Sequence, residues 1–124
     1  MTTTIIDVRC VAVPVHDQDA ALAFYVDVLG FEKRLDAPIS DTMRWIEVAP
    51  PAAATSIALV AGPDSPPPGV DSGVRFAVAD VEAEHQRLQE RGVSMSDLLA
   101  WDDVPPMFTF DDPDGNRFYV VSES

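Results

Sequence analysis

The sequence predicts an α+β fold in which two βαβββ modules follow one another in a single chain. Strand-like runs of alternating apolar residues surround one helical segment in each half, and this order of elements occurs twice. Similar caps, Val15-His16-Asp17 and Val78-Ala79-Asp80, precede the two helices, and Gly30 and Gly92 follow them. The cap and the glycine thus each occur once in each half, and the separation between the two caps is nearly equal to that between the two glycines. We therefore interpret the chain as an internal duplication.

The duplication fixes the expected domain organisation. We treat residues 1–124 as one domain, with module one over residues 5–62, a proline-rich linker over 63–72 and module two over 73–122. Each module has one helix, which covers one face of its sheet. We therefore expect the two halves to form a curled mixed sheet around a concave cleft, which is the default ligand site.

Module one begins with a predicted strand over Ile6–Val15, in which Pro14 indicates an edge strand or a strand end. Asp17 is the expected helix cap, and the helix runs to about Leu29. Its apolar spacing predicts a buried stripe of Ala21, Phe24, Tyr25 and Val28. The remaining strands of module one are predicted at Phe31–Leu35, Met43–Val48 and Thr55–Val60.

Module two repeats this order. A strand is predicted at Val74–Val78 and a helix at Val81–Arg91. The three strands after the helix are predicted at Val93–Trp101, Met107–Phe110 and Phe118–Val121.

The last two strands flank Asp112-Pro113-Asp114-Gly115-Asn116, which predicts a tight hairpin turn. Pro113 presets φ for the first corner, and Gly115 adopts positive φ without steric cost. Asp112 and Asn116 are suited to bind nearby backbone N–H groups. We expect this turn to set the register of the final strand.

Composition excludes several classes of protein. The net charge of −13, from 21 acidic and 8 basic residues, repels phosphate backbones, so we expect no nucleic-acid partner. No apolar run is long enough for a membrane span, and the N-terminus lacks the features of a secretory signal. The single cysteine, Cys10, forms no intrachain disulfide, which fits a cytoplasmic location.

These patterns together resemble one known family. The runs are Val11-Ala12-Val13-Pro14-Val15-x-Asp17, Ala23-Phe24-Tyr25, Val28-Leu29-Gly30-Phe31, Phe76-x-Val78-x-Asp80-Val81 and the turn Asp112–Asn116. They resemble the vicinal oxygen chelate superfamily, which includes glyoxalase I, extradiol dioxygenases, fosfomycin-resistance enzymes and bleomycin-resistance proteins. The resemblance implies the glyoxalase/bleomycin resistance/dioxygenase fold and, since members are commonly dimeric, a homodimer.

The resemblance also implies where a metal would be held. Metal-dependent members place His, Gln or Glu at four strand positions, which correspond here to Cys10, Ala58, Gly73 and Tyr119. A divalent site needs three or four converging donors, so we expect no metal cofactor, with a divalent metal as the alternative. A register slip would bring Ser72 or Asp71 in place of Gly73 but would still leave Ala58 and Tyr119 without donors of the expected kind.

Strand alternation predicts which side chains face the cleft. Arg75 at this face needs an anionic partner, either Glu47 or a ligand, and both are open. Trp45 and Trp101 are suited to stack on flat ligands, although core packing is the other interpretation. The expected ligand-binding residues are Cys10, Trp45, Glu47, Ala58, Arg75, Trp101, Met107, Arg117 and Tyr119.

Two functions follow from the resemblance, and neither assigns a catalytic residue. The first is a metal-free protein that binds and sequesters a small flat or cationic molecule, as bleomycin-resistance proteins do. The alternative is a lyase or dioxygenase-like enzyme that acts on a small molecule; without a metal, Tyr119 or Glu47 would have to serve as its acid or base. A dimeric domain without ligand function is a third hypothesis.

Overall fold

The computed structural model describes residues 2–123 and divides the chain into two compact units, one ending at Ser65 and the other beginning at Pro66. Each unit holds one mixed β-sheet and one helical segment. The α+β class is therefore confirmed.

Unit 1 contains one helical segment and four strands. The strands are β1 (Cys10–Pro14), β2 (Glu32–Pro38), β3 (Arg44–Ala49) and β4 (Ser56–Val60), and the helix α1 is Gln18–Leu22. The sheet order is β1-β4-β3-β2, with β1 parallel to β4 and the other pairs antiparallel. Alternate strand residues form the core together with helical ones: Val13, Ala21, Phe24, Tyr25, Ile46, Val48, Ile57 and Leu59.

The predicted helix of unit 1 begins as expected but does not continue as an α-helix. The Asp17 carboxylate accepts the backbone N–H groups of Asp19 and Ala20, which is the predicted cap. From Ala23 to Val28 the chain widens into a π-helix, in which the Leu29 N–H donates to the Phe24 carbonyl at 3.0 Å. The prediction of Val28 in the buried stripe is therefore wrong, because the wider turn brings Leu29 into the core.

The first strand is shorter than predicted. The prediction of strand over residues 6–9 is wrong, since β1 begins at Cys10. Ile6 is 97% exposed and Val8 is 61% exposed. The Val8 carbonyl accepts the Thr55 hydroxyl instead of a strand N–H, and the Asp7 carboxylate accepts the Val8 N–H. Pro14 ends β1 at the sheet edge, as expected.

Unit 2 contains one helix and five strands. The helix α2 is Val81–Glu90, and it begins at the predicted Asp80 cap. The strands are β5 (Asp71–Val78), β6 (Ser94–Met95), β7 (Leu99–Trp101), β8 (Val104–Asp111) and β9 (Arg117–Ser122). The sheet order is β5-β9-β8-β6, with β5 parallel to β9 and β7 paired to β8. Because β5 begins at Asp71, the last two residues assigned to the linker belong to a strand.

The single strand predicted at Val93–Trp101 is wrong, because the structure has two short strands there. The Ser96 N–H donates to the Thr109 carbonyl at 2.9 Å, as in a regular ladder. The Thr109 N–H then donates to the Ser96 hydroxyl at 3.0 Å. This side-chain acceptor competes with the backbone and interrupts the ladder before β7 begins.

The turn at Asp112–Asn116 forms a buried polar hub. The Asp112 carboxylate accepts the N–H groups of Asp114 and Asn116, each at 2.9 Å. The Asn116 side-chain oxygen accepts the N–H groups of Gly69 and Val70 at 2.9 and 3.0 Å. Asn116 is 0% exposed. Because it also binds Gly69 and Val70, the turn both joins β8 to β9 and holds the segment before β5 in place.

Candidate functional site

The sheet of unit 1 presents a second face through the residues that alternate with its core. Cys10 is the strand partner of Ser56, and Glu47 is the strand partner of Ala58. Trp45 lies two residues before Glu47 on the same face of β3. Small side chains on β1 and β4 therefore neighbour one carboxylate and one indole.

Glu47 is the centre of this face. One carboxylate oxygen, Oε1, accepts the Ser56 hydroxyl at 2.6 Å. The other, Oε2, accepts Trp45 Nε1–H at 2.7 Å and the Arg9 guanidinium at 3.3 Å. Three donors thus converge on a residue that is only 6% exposed.

The electrostatics of the cluster favour an ionised carboxylate. The Ser56 hydroxyl, followed by the Trp45 N–H, lowers the pKa of Glu47 below its usual range, against the opposing effect of burial. Arg9 adds a smaller contribution of the same sign. Its side chain is 78% exposed, so the positive charge lies in water above a nearly buried negative one.

Unit 2 presents a more open face. The guanidinium carbon of Arg75 lies 4.0 Å from the ring centroid of Tyr119, its strand partner, in a cation–π contact. The Tyr119 hydroxyl donates to the Asp71 carboxylate at 2.7 Å. This bond lowers the pKa of Asp71 and raises the pKa of Tyr119. Both groups lie at the surface, so they form a solvated site.

The other predicted residues of unit 2 lie on its sheet without joining this contact. Arg117 donates to the Asp111 carboxylate at 3.0 Å, and Asp111 is its strand partner. Met107 is half-buried and pairs with Leu99 of β7. Trp101, at the end of β7, is 56% exposed.

The structure brings the predicted residues together in two groups, one in each unit. Trp45 contacts Glu47 in unit 1, and Arg75 contacts Tyr119 in unit 2. The sequence analysis considered Glu47 as the partner of Arg75. Glu47 instead has donors from its own unit, and Arg75 Nη1 donates to the Gly73 carbonyl at 2.6 Å.

Three residues of these groups are absent from the predicted ligand-binding set. Ser56 and Asp71 each had a signal: Ser56 has the same strand parity as Ala58, and Asp71 lies two residues before Gly73. Arg9 gave no signal. Alternation would have placed it with the core, but it precedes the first residue of β1.

The positions where the family would hold a metal have few side-chain donors in this chain. Of the four family positions, Ala58 and Gly73 have no side-chain donor, and Tyr119 donates to Asp71. Across residues 2–123, no group of three His, Cys, Asp or Glu side chains could hold a metal ion. A hard divalent cation requires more donors than either group offers.

The fold and the family match together assign the chain to a class of protein. The chain matches the model of the Glyoxalase/Bleomycin resistance protein/Dioxygenase superfamily over residues 8–120. It therefore belongs to this superfamily, which confirms the resemblance seen in the sequence.

Several individual proteins of known sequence or structure are similar to this chain. The chain is 31% identical over 119 residues to the uncharacterized protein YurT of Bacillus subtilis (strain 168), covering 88% of this chain and 93% of that one. A superfamily member from Sphaerobacter thermophilus DSM 20745 has 35% identity and a TM-score of 0.90, over 98% and 100% of the two chains. TnmS3, an antibiotic binding protein from Streptomyces sp. CB03234, has 38% identity and a TM-score of 0.87, over 99% and 100%.

Within residues 2–123, no helix is long and apolar enough to cross a bilayer.

Proposed function

We propose that this protein binds and sequesters a small flat or cationic molecule, such as an antibiotic, without a metal cofactor. The observation that carries the proposal is the chemistry of the polar and aromatic side chains on these two sheet faces. On the first face an indole is held by a carboxylate, and on the second a guanidinium lies over a phenol ring. Such groups suit stacking and charge recognition.

The similarity to TnmS3 supports the same function. That protein is an antibiotic binding protein, and the likeness extends over nearly the full length of both chains. The net charge of −13 would attract cationic ligands. We further propose that the protein works as a cytoplasmic homodimer, which light scattering of the purified protein would test.

Tryptophan fluorescence tests the binding directly. We expect saturable quenching at micromolar concentrations of flat aromatic or cationic antibiotics, because Trp45 is bonded to Glu47 and Trp101 is exposed on the sheet of unit 2. A Trp45→Phe variant should lose more of the response than Trp101→Phe if the unit 1 face is the site. Absence of quenching by every compound of such a panel would contradict the proposal.

Metal analysis and ligand recovery separate binding from catalysis. We expect the purified protein to hold no stoichiometric divalent metal and to release its ligand chemically unchanged. One tightly held ion per chain, lost in Cys10→Ala or Glu47→Gln, would overturn the metal-free function. Conversion of the ligand, detected by mass spectrometry, would favour the lyase or dioxygenase alternative.

A further inference from the structure

An exposed arginine and a nearly buried glutamate meet on the sheet of unit 1. The two short hydrogen bonds to Glu47 come from Trp45 and Ser56, which belong to β3 and β4. The third and longest comes from Arg9, which lies outside the sheet on the segment before β1. The carboxylate is thus held by two side chains of the sheet and contacted by one exposed arginine from outside it.

Breaking the contact between Arg9 and Glu47 has a different energetic cost for each of the two residues. Glu47 is nearly buried, so its charge is costly to leave without a positive neighbour. Arg9 is mostly exposed, so its guanidinium can return to water at little cost. A second cation that reached the carboxylate could therefore replace Arg9 with a small penalty. The Arg9 side chain, which is 78% exposed, reaches Oε2 through Nη2, so this oxygen lies within reach of a solvated cationic group.

We propose that Glu47 recognises the cationic group of a flat aromatic ligand, and that Arg9 occupies this position in the free protein. The Trp45 indole would stack on the aromatic part, since its Nε1–H bond to Oε2 fixes the ring beside the charge. This inference rests on the proposed binding function and specifies its ligand: an aromatic plane with an attached ammonium or amidinium group.

Two dyes of the same three-ring shape test the inference. Proflavine is cationic at neutral pH and acridone is neutral, and both report binding through the anisotropy of their own fluorescence. The variants are Arg9→Ala, Glu47→Gln and the control Lys33→Ala. Lys33 pairs with Asp36, so the control removes one positive charge from the same unit without touching Glu47.

The expected pattern separates displacement from general electrostatics. Arg9→Ala should tighten proflavine binding about three- to tenfold, because the competing cation is gone, and should leave acridone binding unchanged. Glu47→Gln should weaken proflavine binding about tenfold or more, the range of one charged hydrogen bond. Lys33→Ala should change neither affinity.

Other outcomes overturn the inference in distinguishable ways. If both dyes bind but Arg9→Ala weakens proflavine or changes both dyes equally, the inference fails and the binding function stands. If an anionic probe, anthraquinone-2-sulfonate, binds best and loses affinity in Arg9→Ala, Arg9 is the recognition group instead. If the wild-type protein binds none of the three, the proposed function fails as well. Arg9→Ala tests the inference by itself if Glu47→Gln does not fold. Because Arg9 is exposed, its replacement should not prevent folding.

Discussion

The two units share a topology but bury their polar side chains in different places. Among the described residues, four polar side chains are buried: Glu47 and Ser56 in unit 1, and Asp112 and Asn116 in unit 2. The first pair lies on the sheet, among the side chains that alternate with the core, and the second pair lies in the turn between β8 and β9. The same fold therefore uses its costly polar groups in two ways.

The equivalent places in the other unit show the contrast. The β3–β4 turn of unit 1 has no buried hub; the Arg34 guanidinium binds the carbonyls of Pro50 and Pro51 at the surface. On the sheet of unit 2, Tyr119 and Arg75 form a solvated contact in place of a buried cluster.

The difference teaches which polar groups serve folding and which suit recognition. The hub of unit 2 accepts four backbone N–H groups, three of them partly buried and that of Asn116 buried, so the turn depends on it. The Glu47 cluster satisfies only side chains, and an apolar residue would fill the same space without a buried charge. We therefore infer that unit 1 keeps its carboxylate for a ligand.

The largest expected effect is loss of the hub. Asn116→Ala removes the acceptor of two backbone N–H groups, so we expect it to lower the free energy of unfolding by about 2–4 kcal/mol. Arg34→Ala, at the equivalent turn of unit 1, should cost at most about 1 kcal/mol because its contacts are at the surface. Urea unfolding measures both. Equal losses would break the comparison of the two turns.

A smaller loss is expected on the sheet of unit 1. Glu47→Ala leaves the Trp45 N–H and the Ser56 hydroxyl without their acceptor, which should cost about 1–3 kcal/mol. The matched control is Thr109→Ala, at the equivalent position of β8, where the structure records no side-chain hydrogen bond. The control should cost less than about 1 kcal/mol. A larger loss in Thr109→Ala would contradict the assignment of the polar cluster to unit 1 alone.

The pH dependence of stability should also reflect the hydrogen bonds to the Glu47 carboxylate. The pKa of Glu47 is lowered in the folded protein, so its contribution is fully present above the usual glutamate value of 4.5 and is lost as the pH falls through the lower folded value. The stability difference between wild type and Glu47→Gln should therefore be constant near neutral pH and shrink in acid. Urea unfolding at a series of pH values measures it. A difference that grows in acid would mean that burial, not hydrogen bonding, controls this carboxyl group.

The fold was predictable because its signals are local. The caps Asp17 and Asp80 make the expected bonds, and Gly30 and Gly92 adopt φ values of +85° and +76° at the helix ends. The π-helix was not predictable from spacing, because an extra residue in a turn leaves the apolar pattern almost unchanged.

The site was predictable only as far as strand alternation reaches. Alternation correctly placed Trp45 with Glu47 and Arg75 with Tyr119 on common faces. It would have placed Arg9 with the core, because the predicted strand included this residue, whereas β1 begins only at Cys10. The choice of partner for a charged side chain also depends on distances that a sequence does not contain.

The smallest expected effect concerns the open face of unit 2. The bond to Asp71 raises the pKa of Tyr119, so Asp71→Asn should bring that pKa back toward the ordinary tyrosine value of 10.0, with little change in melting temperature. Ultraviolet difference titration of the variant against wild type measures the shift, because the other tyrosine, Tyr25, is buried and common to both proteins. A clear drop in melting temperature would mean that Asp71 supports the fold of unit 2. In that case both units would keep a structural carboxylate on the sheet, and the contrast between a binding face and a solvated face would not hold.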